Sequence, residues 1–277
     1  MSRTQGLVPA TDAELRRLGL VTVTGAAGLV GTALRNAWRG VFPALRLVDR
    51  GELGEAREGE ELLVADLTDL AAAREGVRGA DAVVHLAAIP EEDTFDHLLE
   101  VNVRGAYNVF EAARREDVRR VVFASTNHVT GFYPRAQRIG PDDPVRPDSL
   151  YGVSKVFGEA LGRLYADKWG LEVVCLRIGA FGERPESAEE LPMWLSPRDG
   201  VRLCTRALVA PDIGFLVVYG ASSVTNGWWE NPGADAIGYE PLDEVDPEIQ
   251  RELGADEVDP AGPQGARFAS RDYWVDG

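Results

Sequence analysis

The run Leu20-Val-Thr-Val-Thr24 passes directly into Gly25-Ala-Ala-Gly28-Leu-Val-Gly31, and helix-forming residues continue to about Trp38. Few folds accept an apolar strand that turns on three evenly spaced glycines into a helix. Gly25 permits the tight turn. Gly28 lets a pyrophosphate approach the backbone at the helix N-terminus, where free N–H groups and the helix dipole favour anions. Gly31 lets the helix pack on the strand. Three glycines alone also suit an ordinary strand-to-helix turn, so the rest of the chain decides.

That rest alternates. Residues 45–49, 62–66, 82–86, 121–125, 171–177 and 215–219 read as short apolar strands. Residues 70–77, about 96–115, the stretch to about Trp169 that carries Tyr151 and Lys155, and about 198–208 read as helices. The pattern predicts an α/β fold: a doubly wound, Rossmann-type parallel sheet covered on both faces, with a small C-terminal substrate-binding portion. A single domain over 1–277 is expected. Residues 1–18 form a lead-in with a short helix at Thr11-Asp12, and about 179–277 supply substrate loops and a tail. Two Gly/Pro-rich loops, 127–148 and 179–197, interrupt the alternation. The tail should wrap the surface without a core of its own, and the acidic run 243–259 should be a solvated face.

The formal net charge is −16, which argues against nucleic acid and anionic membranes as partners. No apolar run reaches the length of a membrane span, and the N-terminal residues lack a signal-peptide core, so a cytoplasmic protein is expected. Cys175 and Cys204 read as buried thiols. His85, His97 and His128 lack zinc-site spacing, so no metal is expected.

A dinucleotide site would extend beyond the glycines. Asp49 ends the second strand, where a carboxylate binds the ribose hydroxyls of NAD and repels the 2′-phosphate of NADP. NAD is therefore favoured, although Arg50 beside it is the kind of residue that receives that phosphate. Asp66 either binds the adenine amine or caps the following turn. Ala87 and Ala88 are small enough for a cofactor to lie against the backbone, or simply pack tightly. Leu29, Val30, Leu67, Leu86 and Ile178 complete the expected lining.

Tyr151 and Lys155 stand four apart, so on a helix they share a face. Only two of the 29 basic residues are lysine, Lys155 and Lys168, which singles out an amine at position 155. An ammonium beside a phenol favours the phenolate and makes a proton acceptor. Ser125, Thr126 and Asn127 end the fifth strand, and the carboxyl ends of such strands share one crevice.

With these parts in place the chain resembles the extended short-chain dehydrogenases/reductases, from Leu20 to about Pro241. Within them it is similar to the uronate dehydrogenases. The segments that carry the likeness are Phe123-Ala-Ser-Thr-Asn-His128, Gly131-Phe-Tyr-Pro134, Arg146-Pro-Asp-Ser-Leu-Tyr-Gly-Val-Ser-Lys155, Arg177-Ile-Gly179, Met193-Trp-Leu-Ser196, Val218-Tyr-Gly-Ala-Ser222 and Trp228-Trp-Glu-Asn231. They also occur in NAD-linked glucose-6-phosphate dehydrogenases of halophilic archaea.

The resemblance implies NAD-dependent oxidation of a hexuronate at C1 to its lactone. Tyr151 takes the proton of the anomeric hydroxyl, Lys155 lowers its pKa and binds the nicotinamide ribose, and Thr126, with Ser125, hydrogen-bonds the reacting oxygen. Asn102 helps hold Lys155 through water. Asn127 and His128 belong to the substrate pocket, although His128 equally suits a structural hydrogen bond. Phe268 resembles an aromatic that folds back toward the pocket, and Trp228 and Trp229 either flank the sugar or bury against the sheet edge. Pairing of helices between two copies is common in the family, so a homo-oligomer is compatible.

Three positions depart from the uronate pattern. Pro90 and Ala180 replace expected serines, and Glu186-Ser-Ala-Glu-Glu-Leu-Pro192 carries glutamates where an arginine is expected. A bidentate arginine is the natural partner of a carboxylate, so Arg184 or Arg135 would have to serve. A neutral aldose or a sugar phosphate is the alternative substrate. The alternative reactions are an epimerase or dehydratase that recycles bound NAD, and a dinucleotide sensor.

Overall fold

The computed structural model describes residues 10–223, 227–254 and 258–275. After the single turn α1 (Asp12–Leu15), strands β1 (Leu20–Thr24), β2 (Ala44–Asp49), β3 (Glu60–Val64), β4 (Ala82–His85), β5 (Arg120–Thr126), β6 (Glu172–Ile178) and β9 (Phe215–Gly220) form one parallel sheet. Its order is β3-β2-β1-β4-β5-β6-β9. The chain winds outward from β1 to β3 and then returns to place β4 on the other side of β1. The carboxyl ends of β1 and β4 therefore flank the switch point where such sheets bind ligands.

Period-two alternation sends neighbouring side chains to opposite faces. Val21, Val23, Val84, Val122, Val174 and Leu176 pack with α2 (Leu29–Ala37) and α7 (Pro197–Val209). Val83, Val121, Phe123, Val173 and Cys175 pack with α3 (Leu70–Val77), α5 (Gly105–Arg115) and α6 (Leu150–Trp169). Ser149 caps α6 by accepting from Gly152 N at 3.0 Å, and Gly170, at φ +71°, ends it. Both cysteines are free and buried.

The structure corrects several boundaries. The helix expected over 96–115 is α4 (Phe95–Leu98), a π-helical turn (Leu99–Arg104) and then α5. The wide turn carries Asn102, whose amide donates to Ile89 O and accepts from Ile89 N in the loop after β4. Such turns often accompany a side chain with a task of its own. β3 begins two residues early, because Glu60 and Glu61 pair with Arg35 and Arg46. Asp66 thus lies beyond the strand.

The loop over 179–197 contains an unexpected pair of short parallel strands, β7 (Ala180–Phe181) and β8 (Trp194–Leu195). The tail carries two further helices, α8 (Pro232–Ile237) and α9 (Pro247–Glu252). It runs over the surface as expected, yet plants Ile237 and Tyr239 in the main core. The acidic run is not uniformly solvated either. Asp243 accepts from Ser196 and pairs with Arg198, and Val245 is buried; residues 255–257 lie outside the described residues. Among the described residues no helix is long and apolar enough to cross a membrane.

Candidate active site

A cavity of about 1220 Å³ runs along the carboxyl ends of the strands. At one end lies the glycine turn. Gly25 sits at φ +69°, and a Cβ there would stand 2.6 Å from Ala87 N. A Cβ on Gly31 would stand 2.5 Å from Gly25 O. Gly28 is the residue before α2, and no side chain caps this helix. Its first amides thus remain available to an anion at the cavity wall.

Asp49 braces the turn by accepting from Ala27 N and Gly51 N, each at 2.9 Å. Asp66 accepts from Thr68 N at 2.9 Å, so it caps the turn and also lines the cavity. That backbone bond, with help from Arg50, holds its carboxyl below the ordinary range. Leu29, Val30, Leu67, Leu86, Ala87, Ala88 and Ile178 line the same wall, as does Arg50. The bare backbone, free helix terminus and paired aspartates fit a dinucleotide.

Tyr151, Lys155 and Thr126 meet in the middle of the cavity. Thr126 lies beside the phenol of Tyr151 and favours its phenolate. Lys155 Nζ donates to Ala124 O at 2.8 Å and lies 5.8 Å from the Tyr151 ring centre. The electrostatics differ from those the spacing suggests. Burial pushes the Tyr151 phenol up to about 12, with the charge of Asp148 adding to the rise and Thr126 opposing it. Burial likewise lowers the Lys155 amine to about 7. Removal from water disfavours both charged forms. Phenol acidification is therefore not a property of the chain alone.

Two neighbours have partners the sequence did not name. Ser125 Oγ donates to the buried Glu159 at 2.6 Å, so Thr126 is the hydroxyl that faces Tyr151. Asn102 donates to Ser154 Oγ at 3.0 Å and braces α6 through that serine; no direct bond joins it to Lys155.

The far end is assembled from distant segments. His128 Nδ1 pairs with Asp148 at 2.8 Å, and the tail brings Phe268 to stack on the imidazole at 3.8 Å between ring centres. Asn127 Nδ2 contacts Met193 Sδ at 3.3 Å. Pro90, Ala180 and Arg184 line the wall, with Glu189 and Glu190. Arg184 is paired with Glu252 at 3.1 Å, and Arg135 with Glu189 at 2.6 Å. Trp229 stacks on Tyr219 and donates to Gln264, and neither tryptophan lines the cavity, which favours burial over sugar stacking. Asp148, Met193 and Glu159 escaped the sequence reading. Asp148 lay inside the segment Arg146–Lys155, but nothing local links it to His128.

Fold and site together define an extended short-chain dehydrogenase/reductase. The family model described as NAD dependent epimerase/dehydratase family matches residues 21–197, and the chain belongs to that family. The uronate dehydrogenase of Pseudomonas putida is 41% identical over 222 residues, covering 80% of this chain and 83% of that protein. The L-arabinose 1-dehydrogenase (NAD(P)(+)) of Haloferax volcanii is 40% identical over 249 residues, covering 80% and 96%. A tyrosine-to-alanine mutant of the uronate dehydrogenase from Agrobacterium tumefaciens, complexed with NAD, superposes with a TM-score of 0.85 at 39% identity, covering 90% of this chain and 96% of that one.

Proposed function

We propose that the chain is a cytoplasmic, NAD-dependent sugar dehydrogenase that oxidises the anomeric carbon of a hexuronate to its lactone. One observation carries the reading: Tyr151, Lys155 and Thr126 line the same cavity as the glycine turn. NAD, when bound, would supply the hydride acceptor for C1. Gly25, Gly28 and Gly31 would hold its pyrophosphate, Asp49 its ribose and Asp66 its adenine. Tyr151 takes the proton of the C1 hydroxyl at its phenol oxygen, and Thr126 orients that hydroxyl. Lys155 donates to the nicotinamide ribose, and its charge there favours the phenolate. Asn127, His128 and Phe268 hold the sugar. Exposed Tyr107 on α5 and Val153, Phe157 and Leu164 on α6 support pairing of two copies through these helices.

A neutral aldose is the second reading, and the charges favour it. Arg135 and Arg184 are both committed to glutamates, and Glu189 faces the cavity. A hexuronate carboxylate that used Arg135 would have to displace Glu189 from it.

The test mixes the protein with NAD and glucuronate, galacturonate, neutral aldoses or a sugar phosphate, and follows reduced nicotinamide by absorbance. Net reduction supports the dehydrogenase. Turnover without net reduction selects an epimerase, and NAD binding without turnover selects a sensor. Tyr151→Phe should cut kcat roughly 10²- to 10⁴-fold while NAD still binds. Glu189→Gln should raise the preference for hexuronate over neutral aldose.

A further inference from the structure

Tyr151, Lys155 and Glu159 stand one turn apart on a single face of α6. Three consecutive residues of β5 receive them. Thr126 lies beside the phenol, the Ala124 carbonyl accepts from Lys155, and Ser125 Oγ donates to Glu159. The first two contacts serve the reacting groups. The third leads away from the cavity.

Arg177 on β6 grips Glu159 through Nε and Nη2, each at 2.9 Å. Its Nη1 donates to Tyr219 OH on β9 at 2.9 Å. That hydroxyl meets Thr130 Oγ1 at 3.3 Å, at the end of the 3₁₀ turn Asn127–Thr130 that carries Asn127 and His128. A continuous polar path thus runs from α6 across the sheet and back to the sugar end of the cavity.

The helix needs such a fixture. A Cβ on Gly158 would stand 2.2 Å from the Phe123 ring, and one on Gly152 would stand 2.6 Å from His128 O. Without side chains at these points α6 lies flat against β5, and apolar contact alone sets its height along the axis weakly. A bidentate arginine–carboxylate pair is directional. Glu159 is 7% and Arg177 2% exposed, and a pair so buried adds little net stability because desolvation offsets the attraction. Its contribution is geometric.

We propose that the Glu159–Arg177 pair, with Ser125 and Tyr219 at its two ends, is the positioning device that sets the height of α6. It thereby places Tyr151 and Lys155 against β5 and the 3₁₀ turn. Ser125 is then a positioning residue that acts through Glu159 and not through the sugar. The kinetic arm of the test rests on the proposed reaction.

The experiment is a double-mutant cycle of Ser125→Ala and Glu159→Gln. Each variant should lower kcat roughly tenfold or more with little change in KM for NAD. Together they should be no worse than Glu159→Gln alone, and Ser125→Thr should restore the rate. Multiplying losses would mean that Ser125 touches substrate, and an unchanged kcat in both variants would mean that the pair positions nothing. Either result overturns the inference. Should Glu159→Gln fail to fold, Tyr219→Phe replaces it in the cycle and removes one hydroxyl from Arg177.

The same cycle, read as the pH midpoint of Lys155 acetylation, needs no turnover. The midpoint should shift in Ser125→Ala, which removes no charge, and in the double variant no further than in Glu159→Gln alone. A chain that oxidises no sugar sinks the proposed reaction, whereas an unshifted Lys155 midpoint sinks this inference.

Discussion

The two ends of the cavity are built from different material. The dinucleotide end is mostly backbone: Gly25, Gly28, Gly31 and Ala87 matter for the side-chain atoms they lack, and they lie in the turn from β1 into α2 and just after β4. The sugar end is side chains, gathered from the 3₁₀ turn after β5, the loop between β7 and β8, and the tail. A backbone cradle tolerates little change, because a Cβ on Gly25 or Gly31 strikes main chain. A wall of side chains can exchange charge and shape while the sheet stays as it is. Glu189 at the sugar end, paired with Arg135, stands in the loop where the uronate pattern leads one to expect an arginine.

The sharpest way to break the contrast is Gly31→Ala. Its Cβ would meet backbone on two sides, Gly25 O at 2.5 Å and Ala26 Cα at 2.7 Å. We expect a stability loss of about 1–3 kcal/mol or more and at least a severalfold weaker Kd for reduced NAD, read by thermal melting and nicotinamide fluorescence. Wild-type affinity would show that the cradle is looser than its contacts imply.

Phe268→Ala should act only at the other end. Loss of an aromatic stack is worth about 0.5–1.5 kcal/mol, roughly three- to tenfold in KM for the sugar. NAD affinity should hold, and an equal loss in both constants would join the two ends into one.

A third test sits between them. Burial places the Lys155 amine at about 7 in the protein without ligands, so acetylation of Lys155 should show its midpoint there. The sign for stability follows. Between that value and the ordinary lysine value the unfolded chain binds more protons, so stability rises with pH across this window. Lys155→Met should therefore raise Tm most below pH 7, and the gain should shrink as pH rises toward the unfolded value. A pH-independent gain would mean that the amine is not buried as a charge.

The same contrast explains what the chain disclosed. Gly25, Gly31 and the strands around them were legible because turn, strand and helix are encoded within a few neighbouring residues. The Tyr151–Lys155 face was legible for the same reason. Its electrostatics were not, since spacing reports who is near and says nothing of how much water is lost. Ser125 looked like a partner of the reacting oxygen because a strand end offers two faces, and only the partners on α6 and β6 decide which is used. The pairing of His128 with Asp148, its stack with Phe268 and the ties of Arg135 to Glu189 join positions remote in sequence, for which no local pattern exists.

Phe268 also has a temporal consequence. During synthesis the sheet and the glycine turn emerge from the ribosome well before the residue that stacks on His128. A growing chain is thus equipped to grip a nucleotide before it owns a finished carbohydrate pocket. A fusion, cleavage or antibody at that late segment would be felt first as lost sugar recognition in an otherwise folded, nucleotide-loaded protein.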